Sequence, residues 1–205
     1  MDDAYSIFLE TIGDPMFRQE VPPTSIDRYR GVLPAQLLEF WAKHGWCGYG
    51  NGIFWLVNPQ EYEGVLASWL DNSELKESDV YHVIARSAFG DLYLWGERTG
   101  PSLCIFSNVS RYTHDPVERL PQAMNRAFQA FLLSLDREYL DFDNLFEAAR
   151  SKLGILNHDE IYGFVPALTF GGPCDLAHLE KVKAVEHLIL LAQISPLEPY
   201  SFSDF

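Results

Sequence analysis

Cysteine is scarce in this chain: three in 205 residues, at Cys47, Cys104 and Cys174, far apart and with no CxxC pair. An odd, scattered set argues against a disulfide framework or a zinc site and fits reduced thiols buried as small hydrophobes. Long apolar runs are missing as well, and a membrane-spanning helix would need about 18 such residues. The N-terminal MDDAYSIFLETIGD opens on two acids and lacks the basic segment of a signal peptide. The expected location is therefore the cytoplasm, away from the membrane. Positive charge is also short, with 15 Lys and Arg against 29 Asp and Glu, a net charge of −14. Residues 1–119 carry 17 acids and 9 bases, and residues 120–205 carry 12 and 6, so the acidity is not confined to a tail. A field of this sign repels nucleic acid and draws in basic partners, although the same charge also serves solubility alone.

Catalytic and ligand-binding patterns are equally sparse. The six histidines, His44, His82, His114, His158, His178 and His187, fall singly, with no HxH, HxxxH or HExxH. That leaves no helical metal pair. Gly48, Gly50 and Gly52 alternate as in a phosphate loop, but no Lys-Ser/Thr and helix start follow them. There is no GxSxG elbow. His158-Asp159-Glu160 is the densest polar cluster and reads as a capping turn before Ile161 more readily than as a metal site. His82, Arg86 and Asp91 are one conceivable acid–base set, but Asp91 sits in a Gly-Asp turn and Arg86 fits an ordinary ion pair. No enzymatic activity, cofactor or metal is expected.

What the chain has in quantity is apolar and aromatic material, 47% and 14% of residues, enough for a sizeable core. Its most ordered stretch is YHVIARSAFGDLYLWGERTG, residues 81–100. Val80–Ile84, the alternating Leu92–Trp95 and Leu103–Phe106 predict an antiparallel meander turned at Phe89-Gly90-Asp91, with polar residues only at the bends. Ahead of it, the spacing predicts a helix over 3–12 and an extended connector from Pro15 to Pro23. A short helix capped by Thr24 or Ser25 follows, then a helix over Ala35–His44. Cys47–Gly52 reads as a flexible turn, Ile53–Val57 as a strand, and the segment to Leu70 as a helix. After the meander, Met124, Ala127, Phe128, Phe131, Leu132 and Leu135 form one helical stripe. A further helix is expected over Phe142–Leu153, a strand over Ile161–Ala167, and a helix over Leu179–Ile194 that buries Val182, Val185, Ile189 and Ala192, although the apolar run Leu188–Ala192 would also suit a buried strand. The aromatic, Pro-broken tail SPLEPYSFSDF either docks or frays. The expected fold class is α+β, with an antiparallel sheet packed with helices over 1–118. A mostly helical part with a few short strands, over 119–205, packs against it without a linker.

Residues 26–59, IDRYRGVLPAQLLEFWAKHGWCGYGNGIFWLVNP, followed by the meander, resemble the GAD-like domain of bacterial polymorphic-toxin immunity proteins. DEIYGFVPALTFGG, with EKVKAVEHLILLAQI downstream, is similar to the C-terminal domain that accompanies it in the type VI secretion DNase-toxin immunity protein family. One departure is Thr169-Phe170, where the family more often carries Ala-Leu and where an apolar strand is still expected. The resemblance implies an immunity protein that binds a cognate nuclease toxin, and it brings no catalytic residues. The partner it implies is a protein, not nucleic acid, a membrane or a metal.

Toxin contacts follow from chemistry alone, since a DNA-cleaving partner must present a basic groove. The candidates are two acidic clusters, Asp136, Glu138, Asp141, Asp143 and Glu147 in one and Asp71, Glu74, Glu77 and Asp79 in the other. The competing reading is a non-catalytic regulatory or scaffold adaptor that binds a basic host protein.

Overall fold

A computed structural model describes residues 2–71 and 73–201. The fold is α+β and is organised around an eight-stranded sheet. Seven strands follow one another in chain order: β1 (Pro15–Gln19), β2 (Trp46–Tyr49), β3 (Phe54–Leu56), β4 (Tyr81–Ser87), β5 (Leu92–Gly96), β6 (Gly100–Phe106) and β7 (Arg111–His114). All these neighbours pair antiparallel. The short β10 (Glu198–Pro199) joins β7 in parallel at the far edge. A separate hairpin is formed by β8 (Glu160–Phe164) and β9 (Leu179–Lys183). The expected meander is thus present as β4–β5–β6, extended on both sides.

Helices cover both faces of the sheet. Phe54 and Trp55 are adjacent in β3 and so point to opposite sides. On the Phe54 side lie α1 (Asp2–Ile12), α3 (Ala35–His44) and α5 (Pro121–Ser134). Their rings meet those of the sheet through Phe8–Tyr49, Phe128–Trp95 and Phe131–Tyr93. The Trp55 side is covered by α4 (Glu63–Leu70), the β8–β9 hairpin and α8 (Ala184–Ile194). Gly90 marks how closely this layer approaches. It turns the β4–β5 hairpin at φ +91°, and a Cβ there would lie 3.1–3.2 Å from Ile161, Ser107 and Leu188. Although α5 follows the expected boundary at 118/119, it packs on the sheet, and one continuous core joins both parts of the chain.

Several local expectations are corrected. The proline-bounded connector contains strand β1, paired with β2. The Gly-rich segment after Cys47 is no flexible turn, because Trp46–Tyr49 is a buried strand and Gly50–Gly52 a single 3-10 turn. Gly48 is there for close packing: a Cβ would sit 2.9 Å from the Trp55 ring. The helix α2 (Pro23–Tyr29) starts on prolines, with Thr24 and Ser25 inside it and no side-chain cap. The helix expected over 142–153 is shorter. A brief α6 (Arg137–Leu140) and a 3-10 turn precede α7 (Phe146–Leu153), because Asp143 and Asn144 adopt φ 48° and 60°.

The segment 179–194 is a strand followed by a helix. Leu179–Lys183 pairs with β8, and Ala184, His187, Leu188 and Leu191 form the buried line of α8 rather than the expected 182/185/189/192 face. Leu168–Phe170 is a 3-10 turn, not an apolar strand, with Leu168 packed against the core and Phe170 exposed. Cys47 is buried as expected, whereas Cys174 is exposed. The tail docks through β10 and a Tyr200–Phe106 ring contact, and residues 202–205 lie outside the described residues.

Candidate functional site

The first acidic cluster is built on the turns between α5 and α7. Asp136 caps α6 by accepting from Glu138 N at 2.9 Å, and Asp141 accepts from Phe146 N at 2.8 Å at the start of α7. Asp143 lies in the positive-φ turn and accepts from Cys174 Sγ at 3.5 Å. Glu147 is shared between Arg137 and Arg150, at 3.0 and 2.7 Å. Its charge is therefore largely matched. Asp136, Glu138 and Asp143 remain exposed and free of ion pairs among the described residues.

The second cluster divides in the structure. Asp71 pairs with Lys76 at 2.9 Å on the surface, and Glu74 and Glu77 are exposed in the 3-10 turn that follows α4. Asp79 faces inward, with its side chain only 1% exposed. Its carboxylate accepts from the backbone N–H groups of Val80, Arg98 and Thr99 and from the Thr99 hydroxyl. Burial alone would raise its pKa, and these hydrogen bonds outweigh that and hold it below the usual carboxylate range. Asp79 thus tethers the β5–β6 turn and is not presented to a partner.

The meander's polar residues do not form an acid–base centre. Arg86 lies within β4, one residue before its end, paired with both neighbouring strands and fully buried, contrary to the expectation that polar residues sit only at bends. Its guanidinium donates to Tyr62 Oη at 3.0 Å, to Ser87 O at 3.2 Å and to His158 O at 2.8 Å, and it stacks 5.0 Å from the Trp55 ring. No carboxylate pairs with it among the described residues. It joins the sheet to the start of the β8–β9 hairpin, across 72 positions of sequence. Asp91 is buried at the other end of the Ser87 hydroxyl, 3.1 Å away, and burial pushes its carboxyl up to about 6. His82, at the opposite end of β4, bonds Glu97 at 2.9 Å. The three side chains do not converge. His158 rests beside Trp55, its ring pKa lowered chiefly by burial. Among the described residues no group of three or more His, Cys, Asp and Glu is placed to hold a metal ion. No described helix is long and apolar enough to cross a membrane.

Two of the surface grooves among the described residues, invisible in the sequence, bear on the site. One of about 670 Å³ lies between the α2–α3 connection, the β5–β6 turn and the start of α5, and its charges are balanced by three arginines and three glutamates. The other, of about 480 Å³, opens between β5–β7 and the α5–α6 junction, bordered by Asp136 of the first acidic cluster.

The comparisons with known proteins agree with this architecture. The GAD-like domain family matches residues 3–109, which hold the sheet from β1 to β6. The C-terminal domain of the T6SS immunity protein Tdi1 matches residues 125–195, from α5 to α8. No curated protein matches the chain. The crystal structure of Atu4351 from Agrobacterium tumefaciens shares the fold, with a TM-score of 0.84 over 97% of this chain and 93% of that one, at 22% identity. With more than half its length in the first match and the second beginning after a gap of 15 residues, the chain belongs to the GAD-like domain family, in the form that carries a type VI secretion immunity protein's C-terminal domain.

Proposed function

We propose that this protein is a cytoplasmic, non-catalytic immunity protein that binds a cognate type VI secretion nuclease and occludes its DNA-binding or active-site groove. The observation that carries the reading is the immunity-domain match over 125–195 on a chain of net charge −14. A nuclease must hold a basic surface toward phosphates, and an acidic inhibitor complements that surface and reaches it quickly through long-range attraction. The acids offered to it are Asp136, Glu138, Asp141, Asp143 and Glu147, together with Asp71, Glu74 and Glu77. Desolvated aromatic and apolar contacts then supply the slow dissociation.

The test is co-expression with the product of the adjacent open reading frame. A toxic nuclease should be neutralised by this chain and co-purify with it, without added metal. A neighbour that is harmless, or toxicity that the chain leaves untouched, refutes the reading and favours an adaptor for a host protein. Charge reversal of Glu74 and Glu77, or of Glu138 and Asp143, should slow association and flatten its salt dependence.

A further inference from the structure

The two grooves differ in electrostatics. The floor of the smaller one is apolar: Leu103, Phe131, Leu135 and Leu140 are each under 8% exposed. Among the described residues its carboxylates are Asp115 and Asp136, both exposed at the margin, and no lysine or arginine lines it. Asp115 lies 3.7 Å from Arg119 outside the groove, which leaves Asp136 as the carboxylate without an ion pair. His114, also in the lining, has its pKa lowered by burial and bonds Tyr81 Oη at 2.8 Å, so it adds no charge at neutral pH. Tyr139 lines the groove at 85% exposure, with no hydrogen bond or ring contact among the described residues. Tyr93 reaches it from β5 with a hydroxyl that likewise finds no partner among the described residues. An almost wholly exposed aromatic ring beside an apolar floor is the usual form of a binding hot spot.

We infer that this groove receives a segment of the nuclease partner in which an apolar side chain is flanked by arginine or lysine. The inference rests on the proposed function for the partner's identity. The apolar side chain fills the floor between Leu103 and Phe131. A flanking guanidinium stacks on Tyr139 and reaches Asp136, where cation–π and charge-assisted bonds act together. The larger groove, with its arginines already matched by acids, offers no such preference for one sign of charge.

The test has two arms. In the first, a labelled 12-residue peptide alternating arginine and leucine is titrated against the full chain and against Tyr139→Ala, Thr113→Trp and Asp115→Lys. Thr113 is an exposed lining position where tryptophan fills the groove. Glu39→Lys, which makes the same charge change as Asp115→Lys but in the larger groove, is the control. In the second arm the same variants are assayed against the nuclease from the adjacent gene by its dissociation rate. The expected result is at least a tenfold loss for Tyr139→Ala and Thr113→Trp in both arms, with Glu39→Lys close to wild type. Groove variants that bind peptide and nuclease as the wild type does overturn the inference, and so does a wild-type chain that holds neither. If the nuclease binds every variant equally tightly, the groove fails while the immunity reading stands. Groove-dependent peptide binding without nuclease binding has the opposite meaning.

Discussion

Asp91→Asn is expected to stabilise the protein at neutral pH and to do so less as the pH falls. Asp91 is buried in the β4–β5 turn, with the Ser87 hydroxyl as its side-chain donor and no ion-pair partner among the described residues. Burial raises its carboxyl from 3.8 to about 6, and the Ser87 hydrogen bond offsets only part of that. Between these two values the folded chain holds a proton that the unfolded chain has released, so stability falls as pH rises through that interval. The full penalty is present above about pH 6 and amounts to about 3 kcal/mol, at roughly 1.4 kcal/mol per pH unit. Asparagine keeps the acceptor for Ser87 and removes the ionisation, although its amide N–H groups need partners, which costs about 1 kcal/mol. The informative quantity is therefore the change in the gap between variant and wild type. From pH 4, where about 0.5 kcal/mol of the penalty is already present, to pH 7.5 it should grow by about 2.5 kcal/mol, equivalent to about 5–10 °C in Tm for a chain of this size. Urea unfolding of both proteins at several pH values measures it directly. A gap that stays flat from pH 4 to 7.5 would refute the assignment of Asp91 as a buried carboxyl paying for ionisation.

Other outcomes follow from the same packing. Arg86→Ala strands Tyr62 Oη and the His158 carbonyl and removes one of the donors to Ser87 O, so it should cost about 3 kcal/mol or more. Proteolysis should then become faster at the start of the β8–β9 hairpin, and an unchanged unfolding midpoint would contradict the role given to this side chain. Asp79→Ala removes the acceptor for the Val80, Arg98 and Thr99 donors and should lower stability by about 2–4 kcal/mol. Because the Asp79 pKa is depressed, the stability it contributes is present above its unfolded value and is lost as pH falls through its folded one. A fold that survives Asp79→Ala unweakened at pH 7 speaks against that tether. Gly48→Ala places a methyl 2.9 Å from the Trp55 ring, and thermal melts should register a loss of about 1–3 kcal/mol.

The sequence by itself determined the elements whose pattern is local. The alternating aromatics of the meander, the stripe from Met124 to Leu135, and the Pro34 and Gly45 that bound α3 each carry their own geometry. Family membership was legible because two long ordered segments keep their residue order. Tertiary structure decided what depended on a distant partner. Leu179–Lys183 has helical spacing, yet it is a strand because β8 offers it a ladder, with Lys181 and Lys183 reaching Glu160 and Asp159. Asp79 looks like one more surface acid until the β5–β6 turn, 19 and 20 positions further on, folds back and surrounds it with donors. Arg86 resembles a strand-end ion pair, and only the arrival of His158, 72 residues away, reveals its binding role. The groove beside Tyr139 is assembled from β5, β6, β7 and the α5–α6 junction, so no linear pattern marks it. Periodicity reports which face of an element is apolar, whereas the partner of a polar side chain, and the space left between elements, are properties of the packed chain alone.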